Sequence, residues 1–246
     1  MLGIGLDLSK ISIQSRNIKE LTSNLSLWLR NGVGVTPAKW DDSSGNGNNA
    51  RQSEEEQQGI VSGGGIQFQE DDPGNDVHET HYDLTSAVVV DPEAGFCIAW
   101  VMDQESSTNN TLVSNSSAET IRIQNASKIR LLTNDPDPIE SIYHTNAAFS
   151  SSKGLYMLQR SAGGSSVISL FKNGDAVDYA PSSGNSTLAD AGENNNGFSF
   201  DTIGAANSGS THFFDGIIFE LAFWSRALTA DEIADVNSVL KTQHNI

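Results

Sequence analysis

The sequence predicts an all-β protein, a two-sheet antiparallel sandwich with one C-terminal helix and an extended N-terminal arm. Three observations carry that prediction. Short apolar runs of strand length recur along the chain, separated by segments rich in Ser, Asn and Gly. The pair Asn173-Gly174 sits between two such runs and supplies the positive φ values of a tight hairpin turn. Only the last stretch, "LTADEIADVNSVL" (228–240), carries a convincing helical period.

Residues 1–23 stand apart. Ile4, Leu6 and Leu8, then Ile11 and Ile13, form a loosely alternating apolar face that is too short to build a core of its own. They are the candidate partner-binding residues of a docking arm, and a domain over 24–246 follows. "LSLWLR" (25–30) alternates around Trp28 and "GIQFQ" (65–69) is a short strand. "GFCIAWVMD" (95–103) is apolar throughout, as expected of a strand buried on both faces. Strand-like runs follow at "TLVSN" and "ETIRIQN", and Ile121/Ile123 and Ile129/Leu131 flank a short polar link, the pattern of a hairpin. "GLYMLQRS", "SVISLFK", "GFSFDTIGA" and "FFDGIIFELAFWS" complete the set. In the terminal helix Thr229 and Glu232 form a capping box, Leu228 can staple to Ile233, and Ile233, Val236 and Leu240 make one apolar stripe.

The charge excludes several roles. The 246 residues carry 14 Lys and Arg against 31 Asp and Glu, a net charge of −17. Phosphate backbones need clustered basic side chains, so nucleic acid is not an expected partner. An anionic membrane surface would repel the chain. No apolar run reaches the length of a membrane span, and the start lacks the basic and apolar regions of a secretion signal. The single cysteine, Cys97, lies inside "FCIAW" and is expected to be a small buried hydrophobe.

"WDDSSGNGNNA" (40–50) is the most pointed loop. A Walker loop needs Lys-Ser/Thr after its glycines and a helix behind them, and a dinucleotide fingerprint needs a strand–turn–helix unit. Neither is present. Two readings remain open. Asp42, Asn46 and Asn48 are hard oxygen donors of the kind Ca²⁺ takes. They are equally the residues that cap their own turns.

Three blocks carry a family resemblance. "LWLRNGVGVTPAKWDDSSGNGNNARQ" (27–52) resembles the opening of laminin-G-like domains of the concanavalin A-like lectin/glucanase superfamily. "FFDGIIFELAFWSRALTADEIADVNSVLKTQ" (213–243) is similar to their closing block, and "GLYMLQRSAGGSSVISLFKNGDAV" (154–177) to their central hairpin. The resemblance covers roughly residues 24–246 and implies a jelly roll whose last strand and helix return beside the first strand. It also implies calcium near Asp42, Asn46, Asn48 and Glu220. Where relatives often carry an Asp before that Glu, this chain has Phe219, which removes one ligand.

Catalytic constellations are sparse. Glycoside hydrolysis needs two carboxyls flanking the bond. The nearest pattern is Asp135, Asp137 and Glu140 in "DPDPIE", which Pro136 and Pro138 turn into a bent acidic loop. His78, Glu79 and His81 in "VHETHYD" lack a spacing that supports zinc. Trp28, Trp100 and Trp224 are expected in the core, and Trp40 either there or at a ligand.

The sequence therefore leads to a non-enzymatic virion structural protein of a tailed, marine phage, such as a capsid decoration, fibre or tail appendage. It would be assembled in the host cytoplasm, joined through its arm to other virion proteins or further copies of itself, with a glycan-binding head. The alternative is a carbohydrate-binding module of a bacterial surface or secreted protein. A glycan hydrolase or lyase comes third.

Overall fold

The computed structural model describes residues 18–69, 79–106, 108–116, 119–133, 138–149, 152–163, 167–180 and 194–246. The arm residues Ile4, Leu6, Leu8, Ile11 and Ile13, and with them Asp135, Asp137 and His78, lie outside the described residues. The early strands are β1 (Leu25–Leu29), β2 (Val35–Thr36), β3 (Lys39–Trp40), β4 (Ala50–Arg51), β5 (Ile60–Ser62), β6 (Gly65–Phe68) and β7 (Tyr82–Val90). The middle ones are β8 (Phe96–Gln104), β9 (Asn110–Ser114), β10 (Thr120–Asn125), β11 (Lys128–Thr133) and β12 (Ile139–His144). The last are β13 (Gly154–Arg160), β14 (Ile168–Lys172), β15 (Asp175–Ala176), β16 (Phe198–Ile203) and β17 (Gly216–Trp224). A one-turn helix α1 (Ile18–Leu21) precedes them, and α2 (Ala230–His244) closes the chain.

The strands form two antiparallel sheets, the sandwich that the sequence predicts. The first runs β15-β14-β13-β8-β17-β6-β5, with β1 also on β17; the second runs β12-β11-β10-β9-β16-β7-β4-β3-β2. Alternation along β8 explains its apolar run. Phe96, Ile98, Trp100 and Met102 enter the core between the sheets. Cys97, Ala99 and Val101 lie on the opposite face, in a second apolar cluster with Ile233, Val236 and Leu240 of α2. The first sheet is thus buried on both faces, and Trp28, Trp100, Trp224 and Trp40 are all core residues, each at most 2% exposed. Burial also pushes the Cys97 thiol well above its ordinary pKa.

Local signals are realised as geometry. Asn173 and Gly174 take φ values of 52° and 93° between β14 and β15. Ile121 pairs with Leu131 and Ile123 with Ile129 across the β10–β11 hairpin. Thr229 caps α2, Glu232 closes the capping box, and Asn245 ends the helix in the left-handed conformation.

Three features depart from the sequence reading. β7 was not anticipated: it buries Tyr82, Leu84, Val88 and Val90 but leaves Asp83, Thr85, Ser86, Ala87 and Val89 outward, so its apolar signal is thin. Glu140 is not in a bent loop but in β12, the edge strand of the second sheet, where Pro138 comes just before the ladder and costs it no hydrogen bond. Residues 18–23, assigned to the arm, belong to the folded domain. Ile18 is fully buried in the cluster beneath α2, and Thr22 Oγ1 accepts the indole N–H of Trp224 at 2.7 Å.

Two measurements follow. A chain starting at residue 24 loses the burial of Ile18 and leaves the Trp224 N–H without an acceptor. Relative to a chain starting at residue 18, it should be less stable by about 2–5 kcal/mol in urea unfolding. Equal midpoints would place Ile18 outside the stabilising core. Separately, the Arg226 guanidinium, with the Thr229 N–H, holds the Glu232 carboxyl at about 2, below its ordinary value of 4.5. Because the folded value is depressed, this contribution is full above pH 4.5 and is lost as pH falls towards 2. Glu232→Gln should flatten the stability–pH curve in that window, and an unchanged slope would refute the assignment.

Candidate functional site

The Asp42 loop is built around its own carboxylate. Asp42 Oδ1 accepts from the backbone N–H of Trp28 at 2.9 Å and of Ser44 at 2.8 Å. Its Oδ2 accepts from the Ser44 hydroxyl at 2.7 Å and the Asn48 N–H at 3.0 Å. Asn46 donates its amide to the carbonyls of Leu25 and Ser26, and Asn48 donates to Ser26. Those carbonyls lie at the start of β1, so the loop stitches itself to that strand. Gly45 and Gly47 take φ values of 98° and 78°, which lets the chain reverse around the carboxylate.

Glu220 has a different task. A bulge in β17 between Ile218 and Glu220 turns it under α2, where it is 1% exposed. Its Oε1 accepts the Trp28 indole N–H at 2.6 Å, and its Oε2 lies 2.7 Å from both Gln243 Nε2 and His244 Nε2. One buried carboxylate therefore ties β1, β17 and the last turn of α2 together. Asp42, Asn46 and Asn48 share a loop, whereas Glu220 is spent on Trp28 and the helix. This donor set does not fit Ca²⁺. Asp42 is saturated by N–H and O–H donors, and the two asparagines present NH₂ groups to carbonyls. Among the described residues, no group of three or more His, Cys, Asp or Glu side chains is placed to hold a metal ion.

The second sheet has a polar outer layer that the sequence reading missed, and much of it is buried: Thr111 and Ser114 are 0% exposed, Thr202 1%, Thr120 3% and Arg122 7%. Ile121, Ile123, Ile129 and Leu131 point into the core, so their neighbours point outward. Register places Thr111, Arg122, Arg130 and Ile142 side by side across β9 to β12. A second row runs Asp83, Thr202, Ser114, Thr120, Leu132 and Glu140. The Thr202 hydroxyl lies 3.3 Å from Asp83 Oδ1 and 3.2 Å from Asp201 Oδ1, and Arg130 Nε lies 2.6 Å from Glu140 Oε1. His212, from the segment between β16 and β17, is close enough to be affected by both arginines: burial first, then Arg122 and Arg130, holds its pKa below the ordinary value. The signal in the sequence was alternation itself, since "TIRI" and "KIRL" place an arginine opposite the core-facing apolar residues in each strand of one hairpin.

The remaining candidates are structural. His81 is buried, with Nδ1 2.8 Å from the Glu79 carbonyl and its own carbonyl accepting from Gln52. Trp40 donates its indole N–H to the Arg30 carbonyl at 2.9 Å.

Asp42→Ala should strip four donors of their acceptor and cost about 2–4 kcal/mol, measured by denaturant unfolding. A metal chelator should leave the wild-type midpoint unmoved. A chelator-induced fall that Ca²⁺ reverses would put an ion in the loop.

Comparison with known proteins bears on the fold and the family. No curated protein sequence matches the chain. Among solved structures, the receptor-binding domain of botulinum neurotoxin type G superposes with a TM-score of 0.53 at 13% identity, over 89% of this chain and 52% of that one. A Trypanosoma rangeli sialidase in complex with 2,3-difluorosialic acid superposes with a TM-score of 0.55 at 11% identity, over 91% of this chain and 33% of the sialidase. The chain thus spans about half of the first relative and a third of the second, and at these identities the likeness is one of fold. The family model for the concanavalin A-like lectin/glucanases superfamily matches residues 76–234, well over half of the sequence, and the chain belongs to that superfamily.

Proposed function

We propose that this chain is a non-catalytic glycan-recognition domain whose binding surface is the outer face of the second sheet. The observation that carries the reading is the contrast between the two outer faces. The first sheet is covered by apolar packing beneath α2. The second presents the carboxylates of Asp83 and Glu140 to solvent, with Arg130 partly exposed beside Glu140, over a buried polar layer of Thr202, Ser114, Thr120 and Arg122. The accessible carboxylates and the partly exposed guanidinium offer acceptors and donors to the hydroxyls of an extended saccharide.

Its place in a tailed-phage virion, as decoration, fibre or tail appendage, is part of this proposal. What supports it is the alternating apolar segment from Ile4 to Ile13 and the net charge of −17. Carriage by a bacterial surface or secreted protein is the alternative setting for the same domain.

One observation favours a hydrolytic reading instead. Asp83 and Asp201 share the Thr202 hydroxyl, which puts two carboxylates close together on the proposed binding face. The two readings separate in one experiment. The protein should be retained by members of a surface-immobilised glycan panel, with retention lost in an Asp83→Ala, Glu140→Ala double variant that unfolds at the wild-type midpoint. Prolonged incubation with the retained glycan should release no new reducing ends. Release that Asp83→Asn or Asp201→Asn abolishes would make the domain a glycosidase. Failure to retain any glycan would remove the recognition reading.

A further inference from the structure

Among the described residues, five large apolar side chains are exposed, and three of them lie on one lateral wall of the sandwich: Val33 at 41%, Ile60 at 55% and Val61 at 39%. That wall is where the two sheets end, at β5 in the first and β2 in the second. The strip from Gly32 to Pro37 runs beside the strip from Gly59 to Gly64. The Gly32 N–H donates to the Gly64 carbonyl at 2.7 Å, and the Tyr82 hydroxyl accepts the Gly59 N–H and donates to the Pro37 carbonyl. Val35, on the first strip, is half-buried against the core. An apolar sheet edge left open invites wrong pairing and association, which is why folded chains cover such edges.

One segment of this chain matches the wall in three respects. The first is shape: when extended, it places Ile4, Leu6 and Leu8 on one face and Gly5 and Asp7 on the other. The second is charge. Residues 1–17 carry two basic side chains, Lys10 and Arg16, against one acidic, Asp7, in a chain of net charge −17. The exposed Glu54, Glu55 and Glu56 come just before Ile60 on the wall. The third is reach. Ile18 is held beneath α2 at the Trp224 end of β17, where Thr22 meets the Trp224 indole. β1 and β6 flank β17 on the same side, and Ile60 is in register with Gln67 and, through it, with Ile217. Seven residues along β17 and two strand spacings across amount to about 25 Å. The ten steps from Ile18 back to Leu8 span about 33 Å when extended. A second copy docking the same wall about a two-fold axis would instead set one run of Glu54 to Glu56 against the other, which like charges oppose.

We infer that the arm docks on this wall of its own chain, with Ile4, Leu6 and Leu8 against Val33, Ile60 and Val61, and with Lys10 in reach of the Glu54 to Glu56 run. The contact is a strap over the open edge of the sandwich. Joining other subunits through the arm would then exchange this covering for a neighbour's. The inference does not depend on what the second sheet binds.

The test combines Ile4→Cys, Leu6→Cys or Leu8→Cys with Ile60→Cys in the full chain, oxidised at micromolar concentration. The native Cys97 is fully buried and does not compete. At least one of these pairs should close within a single chain tenfold faster than Gly5→Cys or Asp7→Cys with Ile60→Cys, whose arm positions face away from the wall. Equal rates on both faces, or closure of none of the pairs, would overturn the strap. Closure between two chains would also overturn it and give the wall to the arm of a second copy. Trypsin provides a reading free of engineered thiols. Cleavage after Lys10 should be at least tenfold slower in the wild-type chain than in an Ile60→Ser, Val61→Ser variant that keeps the wild-type circular dichroism. Equal cleavage rates would show that the arm has no seat on this wall.

Discussion

Everything in this fold depends on β17 having three partners. It pairs with β8 along its whole length, and on its other side β6 takes Gly216 to Ile218 while β1 takes Leu221 to Trp224. The bulge at Phe219 makes this arrangement compatible with a two-sided strand. It lets both Ile218 and Leu221 face the inter-sheet core while Ala222 and Trp224 face α2. Without the extra residue, one half of the strand would present its apolar side chains to the wrong layer. The same bulge delivers Glu220 to Trp28 and His244, so strand pairing, helix docking and the only described acid–base contact under α2 originate in one irregularity.

The two carboxylates singled out in the sequence show how similar residues diverge by environment. Asp42 gathers backbone N–H groups and organises a loop; Glu220 gathers side chains and organises a layer. Both act as acceptors for groups that would otherwise be buried unsatisfied, which is a sufficient reason for an acid to be there. The acidic groups of the second sheet differ, because Asp83 and Glu140 remain accessible and their partners are single hydroxyl or guanidinium groups.

How much was legible follows from the same physics. Strands buried on both faces, such as β8 and β17, read clearly because nearly every residue is apolar. The terminal helix read clearly because its cap, stripe and staple are local in sequence. β7 was missed because only alternate ends of it are buried, and β12 because its prolines mask a strand that begins just after them. The Arg122–Arg130 face was hidden for another reason. Each arginine looks like an ordinary solvated residue on an alternating strand, and only the register of β10 against β11, with the neighbouring strands and the His212 segment, reveals that Arg122 is buried beside a partly exposed Arg130 that pairs with Glu140.

The position of the two helices also gives the molecule a direction. α1 packs against α2, and both belong to the layer outside the first sheet, together with Ile18 and the last residue, Ile246. A tether attached at residue 18 or at residue 246 would therefore leave from the helical layer. The polar face of β9 to β12 is separated from that layer by both sheets and the core between them. A body anchored through either end would hold this face outward, as a lamp bracket holds its light away from the wall, with no hinge required.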